Sequence, residues 1–316
     1  MRGKIILALG IMFVMISCVV NAADVLDIGI SARSIGMGRA YTTIKGAGES
    51  LFGNPAGMSG IKKAEIESMY GEMSGDVKYT LLGFVVPLNT GGEIGIGYAG
   101  NKLWDLPLTT TDANNRIIPS GLFNYGTDLY LVSLSNKLND KLTYGARLKY
   151  YRKGSSHLSG VDGTAFNMDA GLIFEQNDKT IVGVVASNLV RGRLGAMIFS
   201  NGTDEPLKKG LDIGVGYQIN SNSRINLELS CRDNIPSEIK VGGEIEPLKN
   251  LDLRLGVEQK TANVSEKYYN YTLGVGYAIG ELNIDYAYYY DSFLLLNSRH
   301  FISIGIGLPN FKGKQT

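Results

Sequence analysis

After residue 20 the chain has no second apolar run, so nothing beyond that point reads as a membrane-spanning helix. It also lacks any Lys/Arg cluster interleaved with aromatics, and 31 basic against 30 acidic side chains leave a net charge of only +1, which excludes a nucleic-acid face. Histidine is confined to His157 and His300 and cysteine to Cys18 and Cys231. None of the four has an evident partner, so no catalytic group, metal site or cofactor is expected, and the chain does not read as an enzyme. Proline is scarce, at 8 residues. Against these absences stand 41 Gly and 18 Tyr among 316 residues, a bias toward turns and pleated segments over long helices.

The one apolar run lies at the start, in "MRGKIILALGIMFVMISCVVNAADV". Arg2 and Lys4 precede the run from Ile5 to Val20, and small residues end at Val20-Asn21-Ala22, which is the pattern of a secretory signal peptide over residues 1–22. "MISC" at Met15 to Cys18 is a degenerate lipoprotein box, and lipidation of Cys18 stays open beside cleavage near Ala22. Cleavage leaves Cys231 alone, unable to form an intramolecular disulfide.

In the rest of the chain, apolar residues occupy every second position over long stretches. Leu211, Ile213, Val215, Tyr217 and Ile219 alternate with Asp212, Gly214, Gly216 and Gln218; Leu251, Leu253, Leu255 and Val257 alternate with Asp252, Arg254 and Gly256. This periodicity is that of strands with one greasy face. About fourteen such segments begin near residues 64, 77, 92, 124, 141, 163, 179, 209, 223, 237, 250, 267, 281 and 297. Most are longer than the roughly 5 to 6 residues of a soluble strand and match the roughly 9 to 11 of a tilted strand crossing a bilayer. Short connections such as "NTGG", "NDK" and "QND" alternate with longer ones near 101–123, 153–162, 191–208, 260–266 and 291–296. That alternation is expected of an outer-membrane barrel with short periplasmic turns, and it places both termini on the periplasmic side. The fold class expected is therefore all-β: a transmembrane antiparallel β-barrel of about fourteen strands over residues 63–309, with a periplasmic tail over 310–316. Apolar residues then face lipid, and polar residues or glycine face the lumen.

Gly95-Ile-Gly97-Tyr-Ala-Gly100 matches the dinucleotide-binding pattern G-x-G-x-x-G, but no helix follows it to offer free N–H groups to a phosphate. The same apolar-Gly beat recurs at Gly214 and Gly216, Gly274 and Gly276, and Gly305 and Gly307. These read as lumen-facing glycines, whose repetition suggests that a plug packs against the wall.

Residues 23–62 lack the alternation and are rich in small residues. They read as a turn-rich N-terminal hatch folded into the lumen, with Asn54-Pro55-Ala56-Gly57 forming a turn. "ARSIGMGRAYT", Ala32 to Thr42, followed by "NPAGM", Asn54 to Met58, resembles the N-terminal signature of PorV/PorQ-type proteins in the wider FadL-like outer-membrane group. "VASNLV", Val185 to Val190, resembles the end of a central strand of that family. The resemblance implies a hatch carried by Arg33, Gly36, Met37, Gly38, Asn54, Pro55, Ala56 and Gly57. It further implies a third strand kinked to open sideways, insertion by the barrel assembly machinery, and outer-membrane lipid as surroundings. Two roles follow from it: a conduit for hydrophobic small molecules, or a docking barrel for secreted proteins in type IX secretion. A structural outer-membrane protein without transport is the third.

Glu228, Asp252, Arg254, Glu258 and Asp285 have inward parity, as hydrated lumen residues or hatch anchors, with Arg33 or Arg39 as their partners. Tyr268, Tyr269, Tyr271, Tyr286, Tyr288 and Tyr290 read as an interfacial girdle. The longest loop carries Leu103, Trp104 and Leu106, more apolar surface than an exposed loop should carry, and is the candidate contact for a ligand or partner.

Overall fold

A computed structural model describes residues 24–309 apart from 74–76, 159, 234, 264–265 and 293–297. The expected signal peptide with Cys18, the expected tail over 310–316 and the tight turn at 74–76 lie outside the described residues. The strands are β1 (Glu65–Met73), β2 (Val77–Pro87), β3 (Glu93–Thr111), β4 (Ile117–Lys137), β5 (Leu142–Ser155), β6 (Gly163–Glu175), β7 (Thr180–Ser187) and the short β8 (Ala196–Phe199) and β9 (Asp204–Pro206). They continue with β10 (Gly210–Asn220), β11 (Ser223–Arg232), β12 (Ile235–Leu248), β13 (Leu251–Asn263), β14 (Glu266–Ile279), β15 (Leu282–Tyr290) and β16 (Arg299–Gly307). Neighbours in sequence pair antiparallel, β7 pairs with β10, and β1 pairs with β16. Fourteen strands thus close into one barrel, while β8 and β9 form a hairpin beside β6.

The short turns carry their own chemistry. Asn139 Oδ1 accepts from the backbone N–H groups of Lys141 and Leu142, and Asn177 Oδ1 accepts from those of Lys179 and Thr180, all at 2.9 Å. Asn side chains that mimic a backbone turn in this way reverse the chain in two or three residues. Gly280 turns β14 into β15 at φ 61°, a left-handed conformation open to glycine at little cost.

Burial follows the alternation. Leu82, Ile96, Leu134, Leu148, Leu227 and Leu255 are each more than half exposed on the outer surface, an apolar belt that only lipid can cover. Among the described residues no helix is long and apolar enough to cross a membrane; the strands make the crossing.

The inward face departs from the expectation of a polar or glycine lining. Tyr79, Leu81 and Val85 on β2 and Leu129 and Leu131 on β4 point inward and are buried, so these strands are apolar on both faces. Their inner partners are Val25, Leu26, Ile30, Leu51, Phe52 and Met58 of the N-terminal segment, which share one core with them. A wall that packs against a folded segment needs apolar residues there, whereas a hydrated lumen does not.

Three connections also differ from their sequence reading. The stretch 101–123 is not a loop: β3 and β4 continue past their outer partners as a hairpin reversing at 112–116, with register shifts near Leu103 and Leu108. Alternating Thr, Leu and Ile sustain pairing that Pro107 and Pro119 would interrupt only at the edges. The stretch 191–208 holds β8 and β9, and most of 260–266 belongs to β13 and β14. Asp24, the first described residue, lies beside Lys149 and Tyr151 in the outer half of the barrel, so the segment runs down from there to β1 and does not rise from the periplasmic rim.

Candidate functional site

The N-terminal segment is a chain of single turns, each closed by its own cap. Asp24 Oδ1 accepts from Leu26 N–H at 3.1 Å ahead of the turn Val25–Ile28, and Ser31 and Ser34 cap one another around the helical turn Ala32–Gly36. Asn54 Oδ1 accepts from Ala56 N–H at 3.1 Å, with Pro55 at the first helical position, where its missing N–H costs nothing. Turns of four or five residues have no stability of their own. Contact with the wall must hold them.

Glycine makes that contact possible. A Cβ on Gly36 would lie 2.9 Å from Gly274 Cα, and Gly38, at φ 62°, lies against Gly256 on β13. Met37 is fully buried with its carbonyl over Gly242 of β12. Across the lumen Asn54 and Pro55 lie against Gly171 of β6, and Pro55 and Ala56 against Gly145 of β5. Leu51 covers Gly95, Phe52 covers Gly97, Thr42 sits on Gly183 and Gly214, and Thr43 on Gly216. Gly57 leaves room for the Ile44 carbonyl within the segment itself. A Gly256→Val change sets a branched side chain against the Gly38 backbone and is expected to cost about 1–3 kcal/mol of docking. The readout is faster protease cleavage within residues 24–61, while Gly243→Val on the lipid side, where the nearest atom is 3.8 Å away, leaves cleavage unchanged.

Charge is arranged in two opposed groups. On β11 to β13 the wall offers carboxylates to segment cations: Arg33 forms a fork with Glu244 at 2.9 Å to both oxygens, and Arg39 pairs with Glu258 and, at 3.0 Å, Glu238. Glu228 accepts from the backbone N–H groups of Tyr41 and Thr42 at 3.1 and 2.9 Å and is held by Lys240 at 3.0 Å. On β5 the signs reverse. Lys149 meets Asp24 at 2.7 Å, and Arg147 donates to the carbonyls of Leu51 and Gly53 at 2.9 and 3.1 Å. Burial alone would raise the Asp24 carboxyl, but the Lys149 ammonium and the Tyr151 hydroxyl hold it well below the usual carboxylate range.

Of the five inward residues expected from parity, Glu228 and Glu258 bond the segment directly. Arg254 bridges Glu244, Asp252 and Asp285 at 2.7, 3.0 and 2.5 Å and so holds Glu244 for Arg33. Sequence reasoning missed Glu238, Glu244, Arg147 and Lys149, though their alternation with the outward Ile239, Val241 and Leu148 marks all four as inward. Leu103, Trp104 and Leu106 lie on the protruding hairpin, and Trp104 is about half exposed and lines none of the cavities described below. His157 lies at the outer end of β5 beside Ser156, and His300 faces outward with its Nδ1 2.6 Å from the Tyr286 hydroxyl.

Above the segment a cavity of about 200 Å³ opens among Val25, Ile28, Asn101, Thr127 and Tyr289 and the charged side chains of Asp24, Asp27, Arg39, Lys260 and Arg299. A smaller one of about 30 Å³ lies where β7 ends, lined by Tyr41, Phe52, Val185, Asn188 and Gly210. Asn188, in the stretch read as a strand end, sits at φ 57° with its N–H on Asp169 at 2.9 Å, and β6 passes its pairing from β7 to the segment leading to β8. In contrast to the kink implied for the third strand, β3 pairs with β2 without a shift from Lys102 to Glu93.

These features define a membrane-spanning β-barrel whose lumen holds a segment of its own chain. The barrel fold is shared with the CymD monoaromatic hydrocarbon channel (TM-score 0.64, 12% identity, 92% of this chain and 100% of that one). It occurs too in the Pseudomonas putida toluene transporter TodX (0.63, 14%, 89% and 99%) and in a Pseudomonas aeruginosa FadL homologue (0.59, 14%, 87% and 97%). The chain therefore has a FadL-like barrel fold. No family model matches it and no curated protein sequence does, so the resemblance to PorV/PorQ proteins rests on the stretches around residues 32–58 and 185–190.

Proposed function

We propose that the protein is an outer-membrane conduit for small hydrophobic compounds, with residues 24–61 as a hatch that occludes the lumen. The observation that carries this reading is the filled lumen. A general diffusion pore has a water-filled channel, whereas here turns, glycine contacts and ion pairs occupy the lumen among the described residues, and the two cavities beside them measure about 30 and 200 Å³. Solved barrels of the same fold described as hydrocarbon channels and toluene transporters support the assignment of hydrophobic solutes. The cavity above the hatch is the first stop: Val25, Ile28 and the Tyr289 ring supply its apolar surface, beside the charged Asp24, Asp27, Arg39, Lys260 and Arg299.

Filling that cavity tests the reading. Thr127→Trp is expected to weaken binding of toluene or a medium-chain fatty acid to the detergent-solubilised barrel at least about tenfold, since one large buried side chain is worth about 1.5–3 kcal/mol. Trp104→Ala is expected to change it less than about twofold. Equal binding by wild type and Thr127→Trp would remove the cavity from the path.

A docking role has one observation in its favour. The β3–β4 hairpin stands beyond the rim with Trp104, Ile117 and Leu122 exposed, apolar surface of the kind that marks a protein contact. Pull-downs in mild detergent that recover secreted proteins sharing a C-terminal domain, and lose them when 104–122 is shortened to a turn, would establish it over the conduit.

A further inference from the structure

The outer surface of β2 to β6 is ordered row by row. Cross-strand register aligns Phe84, Ile96, Val132, Leu148 and Met168 in one outward row and Leu82, Tyr98, Tyr130, Tyr150 and Phe166 in the next one toward the outside. The rings of the second row touch in sequence, with centroids 5.5, 6.4 and 4.7 Å apart. One ladder step further out the row becomes Thr80, Gly100, Asp128, Arg152 and Thr164, and the following step pairs Lys78 with Lys102. Apolar wall, aromatic belt and cations therefore succeed one another within four steps, the sequence of hydrocarbon, interface and headgroup that a membrane leaflet presents.

This face is also concave. A depression of about 770 Å³ is lined by Leu82, Tyr98, Leu148 and Phe166 and, from the stretch that follows β7, by Val190 and Leu194. Arg191 and Arg193 flank that stretch and are exposed, as are Arg152 and Lys78. Asp128 is the carboxylate of these rows within β2 to β6, and Lys102 at 3.0 Å and the Tyr98 hydroxyl at 2.6 Å already satisfy it; Lys78 stands opposite Glu72 of β1. Arg152, Arg191 and Arg193 remain as excess positive charge at the edge of an apolar hollow. The far side of the barrel differs: at comparable height β13 to β16 turn out Gln259, Tyr269, Tyr288 and His300.

We propose that the β2–β6 face binds a lipid of the outer leaflet, its acyl chains in the hollow and its headgroup phosphate against Arg152, Arg191 and Arg193. The occupant follows from charge and depth together. Phosphate is the anion that bilayer lipids place near that height, forked guanidinium donors match its oxygens, and the hollow is lined mostly by apolar side chains of the outer face.

The full barrel is reconstituted in phosphatidylcholine vesicles doped with a diphosphorylated, multiply acylated lipid A, released into mild detergent, and analysed for retained lipid by native mass spectrometry. Wild type is expected to keep the phosphorylated lipid, and the Arg152→Ala/Arg191→Ala/Arg193→Ala variant to keep about tenfold less or lower. Lys267→Ala on the far side keeps as much as wild type, and lipid A stripped of its phosphates is not retained. Folding is checked by heat-modifiable gel mobility; should the triple variant fail that check, Arg152→Gln alone is expected to lower retention about threefold. Equal retention by wild type and these variants overturns the proposal, as does equal retention of the dephosphorylated lipid or an equal loss in Lys267→Ala. Release of the lipid by inorganic phosphate would reassign the cations to a soluble anion and overturn it too.

Discussion

Excision of residues 24–61, with the rest of the chain in place, is expected to raise single-channel conductance in planar bilayers at least about tenfold. A ring of this strand number encloses more space than its own inward side chains fill, and here the inward positions on β12 to β14 include Gly242, Gly256 and Gly274. Without the segment that space floods. The wall itself should survive, because its backbone hydrogen bonds run strand to strand around a closed ring and none depends on the segment. The carboxylates of Glu228, Glu244 and Glu258 lose their segment partners but gain water, and a hydrated charge needs no partner. The apolar inward faces of β2 and β4 fare worse. Tyr79, Leu81, Leu129 and Leu131 would meet water in place of Leu51 and Phe52, so the excised barrel should also melt at a lower temperature. Unchanged conductance would mean that the segment lies outside the ion path, and would undo the occluding role.

Much of the wall was legible in the sequence because a strand between lipid and lumen alternates strictly. β10 and β13 read off directly, since Ile213 and Val215 or Leu253 and Leu255 alternate with Gly214 or Arg254. The glycines were legible as well, for a small residue repeated on one face says that something sits close. What sat there was harder to see. β2 presents Tyr79, Leu81 and Val85 inward and Leu82 and Phe84 outward, so its sequence is a continuous apolar run in which parity carries no direction. The hairpin over 101–123 was read as a loop because Thr, Asn and Pro dominate it, and composition says little where no face is buried. Arg147 and Lys149 stand in plain inward parity, but parity gives no hint of which hatch groups they meet, here backbone carbonyls and Asp24.

Arg39→Ala is the point substitution expected to loosen the segment most. Its guanidinium is buried and reaches Glu258, Glu238 and the carbonyl of Asp27, tying the wall to two turns of the segment at once. Glu258 is itself wholly buried. With Arg39 gone, its partners among the described residues are the Tyr289 hydroxyl at 2.8 Å and the more distant Lys260 at 3.8 Å. Breaking a buried pair from one side costs about 3–5 kcal/mol, because the charge left behind is neither hydrated nor matched. That is comparable with all the docking energy that turns of four or five residues can muster, so the outer part of the segment should detach: proteases should cut within residues 24–38 in detergent, and conductance should rise part of the way to that of the excised barrel. Lys45→Ala is the contrast. Its pairing with Glu175 lies toward solvent, where such a pair is worth about 0–1 kcal/mol, and cleavage should barely change. Adding Glu258→Gln to Arg39→Ala removes the stranded charge and should restore part of the protection, a coupling that independent sites would not give. If Arg39→Ala resists protease as well as wild type does, the charges of β12 and β13 do not hold the segment, and the glycine contacts alone must.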